Sequence, residues 1–207
     1  MLLAVDCGNT NIVFALYDGD VQRASWRIST DPKRSVDEYL VWLAQLMSLK
    51  SLAVGDITDM IIASVVPEVQ PKLINLASRG FGIVPQVVGD SGIDLGIDIH
   101  IDRPDQAGAD RLVNAVAARD FHDLPAIILD FGTATTFDLI GKGGAYQGGI
   151  IAPGVNLSVE ALYMAAARLP RLAVEPWAVD MPVLGKDTVS AMSVSYTHLT
   201  LPTTPYV

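Results

Sequence analysis

One short pattern occurs twice in the chain: an apolar residue, an aspartate, any residue, a glycine and a polar residue. The copies read VDCGN at residues 5–9 and LDFGT at residues 129–133. Each copy follows a run typical of a strand and precedes another, at 12–17 and 135–140. The separation is too long for a solenoid repeat and suits two lobes, each built on one strand-turn-strand unit. The pattern therefore predicts a duplicated α/β architecture.

The remaining periodicity agrees with an α/β class, because strand-like runs alternate with helical ones. The first three strands are separated by tight turns and predict a meander. Ser35, followed by Glu38, has the spacing of a capping box at the start of a helix, and Gly80 is expected to end another helix. The predicted strands are 2–5, 12–17, 21–28, 60–66, 84–88, 126–129 and 135–140, and the predicted helices are 36–47, 69–79, 107–121 and 155–167.

Composition narrows the functional classes. The chain has 207 residues, is 50% hydrophobic and carries a net charge of −9. It can bury a core, and its acidic balance argues against a protein that holds nucleic acid through its overall field. The single cysteine, Cys7, excludes an intramolecular disulfide framework and fits a reducing compartment. With neither a signal peptide nor a membrane segment evident, we expect a cytoplasmic protein without nucleic-acid or membrane partners.

The C-terminal segment departs from this pattern. Residues 193–207 contain no charge, two prolines and no helical period, although 187–192 begin like a helix. A natural irregular terminus is one interpretation. The favoured one is a truncated chain that ends in foreign residues. The expected domains are therefore a first lobe at 1–106, an incomplete second lobe at 107–192 and a non-native tail at 193–207.

The first aspartate-glycine turn is a candidate phosphate site. A carboxylate at the end of a buried strand is costly unless it is paired or metal-bound. Gly8 would let a phosphate approach the backbone, while Asn9 and Thr10 offer donors. Asp6 could hold a hydrated Mg²⁺ that bridges phosphate oxygens. The alternative is an ordinary hairpin turn with an Asx-type hydrogen bond.

The second turn makes the phosphate hypothesis stronger. Residues 130–136 repeat the aspartate and glycine and add the hydroxyls of Thr133, Thr135 and Thr136. Two acidic loops could clamp a polyphosphate from opposite sides, with metal offsetting the charge. Neither a GxxxxGK[ST] stretch nor a GxGxxG after a strand occurs, so the usual P-loop and Rossmann solutions are not supported.

A third candidate is GADR at residues 108–111, where a loop becomes a helix. Its backbone amides could receive an anion, Arg111 could add a bidentate donor, and Asp110 would be well placed as a base. The alternative is that Asp110 is only a first-turn acid favoured by the helix dipole. A fourth segment, GGIIAPG at 148–154, would offer a surface of small residues between a strand and a helix.

Taken together, these four motifs resemble the type III pantothenate kinases in order and spacing, over residues 1–192. The first motif alone would fit many members of the acetate and sugar kinase, Hsp70 and actin superfamily. The resemblance implies that superfamily's duplicated ribonuclease-H-like lobes, here with mixed sheets flanked by helices and an incomplete second lobe. It also implies ATP-dependent phosphorylation of pantothenate to 4′-phosphopantothenate, the first step of coenzyme A synthesis.

The resemblance also implies residue roles. Asp110 would be the catalytic base, and Asp130 would hold a monovalent cation, K⁺ or NH₄⁺, in addition to the Mg²⁺ that accompanies ATP. Thr188 would reach pantothenate across the interface of a homodimer. The implied ATP-binding residues are Asp6, Cys7, Gly8, Asn9, Thr10, Asn11, Ile12, Val13 and Thr133. The implied pantothenate-binding residues are Ile101, Gly108, Ala109, Asp110, Arg111 and Thr188.

The sequence departs from the family pattern in two places, and alternatives to the family's activity stay open. Ile101 stands where many relatives carry a tyrosine, and residues 193–207 replace the elements that close the second lobe. If the missing helices normally cover the sheet, apolar surface is left exposed. The alternatives are a transcription regulator resembling the Bvg accessory factors, another small-molecule kinase on the same scaffold, and an inactive truncated kinase.

Overall fold

The computed structural model describes residues 1–174, residue 182 and residues 184–198. The chain divides into two compact units. The first comprises residues 1–126 and 139–148, and the second comprises 127–138 and the residues from 149 onward. This division differs from the expected lobe boundary between residues 106 and 107, since the helix that follows that boundary belongs to the first unit.

The first unit contains a five-stranded mixed sheet. Its strands are β1 (Leu2–Cys7), β2 (Asn11–Asp18), β3 (Val21–Ser29), β4 (Asp59–Ser64) and β5 (Gln86–Val87). The spatial order is β3-β2-β1-β4-β5. The first three strands pair antiparallel, which confirms the predicted meander, and β4 pairs parallel to β1 and to β5. The last strand is shorter than the predicted 84–88, and Val84 is 92% exposed.

Three helices accompany this sheet: α1 (Val36–Ser48), α2 (Gln70–Leu76) and α3 (Ala109–Phe121). The capping box at α1 is confirmed, because the Ser35 backbone N–H donates to Glu38 Oε2 at 2.7 Å and the Glu38 N–H donates to Ser35 Oγ at 3.2 Å. The predicted stop at Gly80 is wrong. A π-helical stretch, Ala77–Phe81, continues the turns to Gly82, whose φ of +71° suits glycine at a helix end.

Helices cover both faces of the first sheet. Alternate residues of β1, β2 and β4 point into a core shared with α1 and α2, which includes Leu3, Val5, Phe14, Ile62 and Leu73. On the opposite face, Ala63 packs with Ala109 of α3 and with Val88. The observed mixed α/β sheet flanked by helices is the predicted fold class.

A second sheet contains β6 (Ala126–Phe131), β7 (Ala134–Ile140) and β8 (Tyr146–Pro153) in that order. This sheet contributes strands to both units, and the second unit further contains α4 (Val155–Ala165) and α5 (Thr188–His198). Helix α5 continues past Met192, where the sequence shows no helical period. Hydroxyl groups there bond within the helix, as Ser193 Oγ donates to Val189 O at 2.9 Å. Within the described ranges, none of the helices has the length and apolar composition that a bilayer crossing requires.

The two strands that carry the repeated motif, β1 and β6, differ in the burial of their apolar side chains. In the first unit, Leu3, Val5 and Cys7 are at most 3% exposed. The residues at the same motif positions in β6 are exposed, Ile127 at 64%, Leu129 at 41% and Phe131 at 57%. The face of β6 that corresponds to the buried face of β1 is therefore exposed to solvent, among the residues that the structure describes.

Candidate active site

The turn between β1 and β2 is fixed by hydrogen bonds from Thr30, which follows β3, the strand beside β2. The Gly8 N–H donates to Asn11 O at 3.0 Å and closes the hairpin. Thr30, directly after β3, donates its hydroxyl to Gly8 O at 2.6 Å and its N–H to Thr10 O at 2.9 Å. The predicted phosphate turn is thus a braced loop. Thr30 was missed, because a contact with a residue more than twenty positions away leaves no local pattern.

The predicted ATP-binding residues in and beside the first turn differ in exposure. Asp6, Asn9 and Thr10 are exposed, whereas Cys7 and Ile12 are fully buried. Burial raises the pKa of the Cys7 thiol, a hydrogen bond with Ser64 lowers it, and the charge of Asp6 raises it. Cys7 is therefore a buried packing residue, and a role for Cys7 or Ile12 toward a ligand would have to use the backbone.

The first turn and the start of α3 occupy the same edge of the first sheet. Asp6 pairs in register with Ala63 on the parallel strand β4, so their side chains share a face. Ala63 packs on Ala109 at the beginning of α3. The carboxyl ends of β1 and β4 therefore lie beside the N-terminus of α3, and ligands of open α/β sheets bind at such edges. Two motifs separated by about a hundred residues meet there.

The GADR motif places a carboxylate at the first turn of α3. Gly108 is the N-cap, and the N–H of Arg111 donates to Asp110 Oδ1 at 2.8 Å. A Cβ atom on residue 108 would lie 2.5 Å from Asp110 Oδ1. Glycine at position 108 therefore leaves room for the Asp110 carboxylate. This steric reason for glycine is more specific than the exposure of a backbone amide to an anion.

We expect Gly108→Ala to displace the Asp110 carboxylate without unfolding the chain. The methyl group would overlap a movable side-chain oxygen, so the carboxylate would rotate while the helix remains. The kcat for the reaction proposed below should fall by about tenfold or more, since misplacing a reacting group by about 1 Å can cost 100-fold. Gly55→Ala is the matched control, because a Cβ at residue 55 meets nothing within 4 Å. Equal kcat in both variants would contradict this role of Gly108.

Arg111 and Ile101 are both close to β8. The guanidinium carbon of Arg111 lies 5.6 Å from the centroid of the Tyr146 ring. Ile101 is partly buried, and its Cγ2 would lie 3.3 Å from a Cβ at Gly148, whose φ is +104°. Tyr146 was missed by the sequence motifs, because its pairing partners lie more than forty residues earlier. The predicted substrate residues Ile101, Gly108, Ala109, Asp110 and Arg111 all belong to the first unit.

The second turn is one residue shorter than the first. Only Gly132 and Thr133 separate β6 from β7, and the Gly132 N–H donates to Ala134 O at 2.9 Å. Asp130 and Thr133 are exposed. Thr135 and Thr136 are buried, and the Thr136 hydroxyl donates to the fully buried Asp138 at 3.2 Å. Of the three hydroxyls expected to face a ligand, only that of Thr133 lies on the surface.

The start of α4 packs closely on this turn. Its N-cap, Gly154, donates its N–H to Thr133 O at 3.0 Å. A Cβ at residue 154 would lie 2.4 Å from both carbonyl oxygens of the turn, Gly132 O and Thr133 O. The glycine of the 148–154 motif therefore permits contact between the helix and the turn, which fixes the position of Thr133.

Thr188 is exposed at the first position of α5. The preceding residue caps the helix, since the Ser190 N–H donates to Asp187 Oδ1 at 2.9 Å. This hydrogen bond and that of the Ser190 hydroxyl lower the pKa of Asp187. Thr188, Asp130 and Thr133 belong to the second unit.

A divalent ion brought by a phosphate ligand suits the first turn. Among the described residues, no three His, Cys, Asp or Glu side chains are grouped to hold a metal. Asp6 offers an exposed carboxylate beside a backbone turn. Mg²⁺ is commonly bound by one or two carboxylates with the remaining positions filled by water and substrate phosphates, so these residues fit that ion.

A mixed sheet with helices on both faces, and with an acidic turn and a helix N-terminus at one edge, defines an α/β protein of the class that commonly binds ligands at such an edge. A family model described as type III pantothenate kinase matches residues 2–200. The chain belongs to this family.

The curated relatives agree. The chain is 56% identical over 192 residues to the type III pantothenate kinase of Paramagnetospirillum magneticum, covering 93% of this chain and 73% of that protein. It is also 56% identical over 192 residues to that of Rhodospirillum rubrum, covering 93% of this chain and 74% of that protein. These names do not favour the regulator alternative.

Among solved structures, the chain resembles one described as a Baf family transcriptional activator from Campylobacter jejuni. The TM-score is 0.56 and the identity is 18%, with 93% of this chain and 72% of that chain covered. At this identity the similarity shows a shared fold.

Proposed function

We propose that this protein transfers the γ-phosphoryl group of ATP to pantothenate, forming 4′-phosphopantothenate in the first step of coenzyme A synthesis. The observation that carries the proposal is the meeting of the Asp6 turn and the GADR helix start at one edge of the first sheet. The Asp6 turn is suited to phosphates, and the GADR helix start is suited to an anionic substrate with a nearby base. Family membership supplies the substrate pair, ATP and pantothenate.

Asp110 acts as the base. Its carboxylate accepts the proton of the attacking pantothenate hydroxyl while the hydroxyl oxygen bonds to the γ-phosphorus. The bond from that phosphorus to the bridging oxygen breaks, and ADP leaves. The hydrogen bond from the Arg111 N–H holds the carboxylate in position. The Arg111 guanidinium and the amides at the start of α3 bind the carboxylate of pantothenate.

The first turn binds the ATP phosphates. Gly8 allows the phosphate to approach the backbone, and Thr30 holds the turn in one conformation before ATP arrives. Asp6 would hold Mg²⁺ together with phosphate oxygens. The ion would neutralise the charge of the phosphate oxygens when bound. Thr133, exposed on the second turn, is the remaining residue that the family resemblance assigns to ATP.

The other assigned roles are part of the proposal. Asp130 offers a hard oxygen ligand to a monovalent cation, K⁺ or NH₄⁺. Thr188 reaches pantothenate bound to the other copy of a homodimer, and its exposed position at the start of α5 is compatible with an intermolecular contact.

An assay of ADP release tests the proposal. The chain is incubated with ATP, Mg²⁺ and K⁺, with and without pantothenate, and the product is identified by mass spectrometry. We expect ADP release that requires pantothenate, with one phosphoryl group added to it. ADP release that is the same without pantothenate, or absent in both mixtures, would overturn the proposed function.

The cation role of Asp130 is tested in the same assay. Replacing K⁺ by Na⁺ should reduce the rate in the parent chain, and Asp130→Ala should remove this difference because the hard oxygen ligand is lost. Asp20→Ala is a suitable control, as Asp20 is an exposed aspartate in the turn between β2 and β3. If Asp130→Ala responds to K⁺ as the parent does, the cation is bound elsewhere.

A further inference from the structure

Tyr146 is a buried aromatic residue outside the motifs that resemble the family. It is 1% exposed and begins β8. Its backbone is held on both sides by one segment of the chain. The Tyr146 N–H donates to Asp98 O at 2.9 Å, and the His100 N–H donates to Tyr146 O at 2.8 Å. Ile99 pairs with it as an isolated parallel bridge. The ring therefore has a fixed position in the first unit.

The same side chain meets a second segment of the candidate site. The Arg111 guanidinium lies over the Tyr146 ring at 5.6 Å from its centroid, within the range of a cation–π interaction. The backbone N–H of Arg111 donates to Asp110 Oδ1. One buried residue thus contacts the segment that leads to Ile101 and also the arginine that follows the proposed base.

We propose that Tyr146 is a positioning residue for substrate binding. Its ring holds the Arg111 guanidinium at the orientation in which it receives the carboxylate of pantothenate, and its backbone holds residues 98–100, so that Ile101 is placed relative to Arg111. The inference rests on the proposed function, because it assigns Arg111 to pantothenate. Losing the ring would let the long arginine side chain sample other rotamers, and binding would have to restore the order.

The test separates pantothenate binding from turnover. Tyr146→Leu removes the ring but keeps an apolar side chain, and we expect the KM for pantothenate to rise about tenfold while kcat and the KM for ATP change little. Tyr39→Leu is the matched control. Tyr39 is fully buried in the same unit, and Arg34 lies over its ring at 5.4 Å. It packs in the core on the face of the first sheet opposite to α3 and Arg111. Equal KM values for pantothenate in the two variants would overturn the inference.

A second series avoids loss of packing. Starting from Tyr146→Phe, the phenylalanine is replaced by analogues with increasing fluorine content, which weakens the negative ring face at nearly constant size. We expect the KM for pantothenate to rise stepwise along the series, and a flat series in an active protein would overturn the inference.

A measurement without substrate tests the positioning role of Tyr146 independently of the proposed function. Arg111→Met should lower the Tm in the parent, with a smaller effect in the Tyr146→Leu background. Additive Tm changes would show that the ring does not hold Arg111, whether or not pantothenate is the substrate.

Discussion

Asp110→Asn is expected to reduce kcat by about 100-fold to 10,000-fold, the range that a positioned general base contributes. The substitution keeps the size of the side chain and keeps an oxygen that can accept the Arg111 N–H, so the start of α3 should remain folded. The loss would arise because an amide cannot take the proton of the attacking hydroxyl. Turnover in the ADP release assay and the Tm are the two measurements.

A matched control addresses the alternative that Asp110 is only a first-turn acid. Asp37 occupies the second position of the 13-residue helix α1, as Asp110 does in the 13-residue helix α3. Asp37→Asn removes the same favourable interaction with the helix dipole, worth about 0.3–1 kcal/mol. We expect a small loss of stability in both variants and a loss of kcat only in Asp110→Asn. Wild-type kcat in Asp110→Asn would remove Asp110 from the catalytic role.

Gly154→Ala is expected to cause the largest loss of stability among the glycine substitutions considered. The new Cβ would lie 2.4 Å from two backbone carbonyl oxygens of the second turn, and backbone atoms cannot move aside as a flexible side chain can. Overpacking typically costs about 1–3 kcal/mol, which corresponds to a Tm decrease of roughly 2–12 °C for a chain of this size. Because the turn carries Thr133, the KM for ATP should rise as well.

Gly143→Ala controls for the general effect of replacing glycine. A Cβ at residue 143 meets nothing within 4 Å, so the change should alter the free energy of unfolding by less than about 1 kcal/mol. Thermal unfolding of both variants gives the comparison, and the KM for ATP is measured at a temperature at which both are folded. A Tm for Gly154→Ala that equals that of Gly143→Ala would contradict the close approach of α4 to the turn.

The sequence anticipated the features that local chemistry determines. The capping box at Ser35 and Glu38 and the glycine turns after β1 and β6 depend on residues a few positions apart, and the structure contains them. The choice between Gly80 and Gly82 as the end of the π-helical stretch that follows α2 could not be made from spacing. Both residues are glycines, and the conformation that ends the helix depends on the packing of the last turn.

The parts of the site that were missed depend on contacts between distant segments. Thr30 braces the first turn from the end of β3, and Tyr146 meets Arg111 after an interval of 34 intervening residues. Neither pair leaves a periodic signal, because sheet register and the packing of α3 bring them together. Burial also could not be inferred for Thr135 and Thr136, since the same threonine-rich spacing would suit a surface turn.

The bare face of β6 affects how stability is distributed along the chain. In the first unit, the face formed by Leu3, Val5 and Cys7 is covered and supplies hydrophobic stabilisation, whereas Ile127, Leu129 and Phe131 retain much of their contact with water. Regions with few buried apolar contacts open at a lower free energy. The β6-β7 turn, with its aspartate and its exposed threonine, would therefore exchange its amide hydrogens sooner than the β1-β2 turn, although the two turns share one motif.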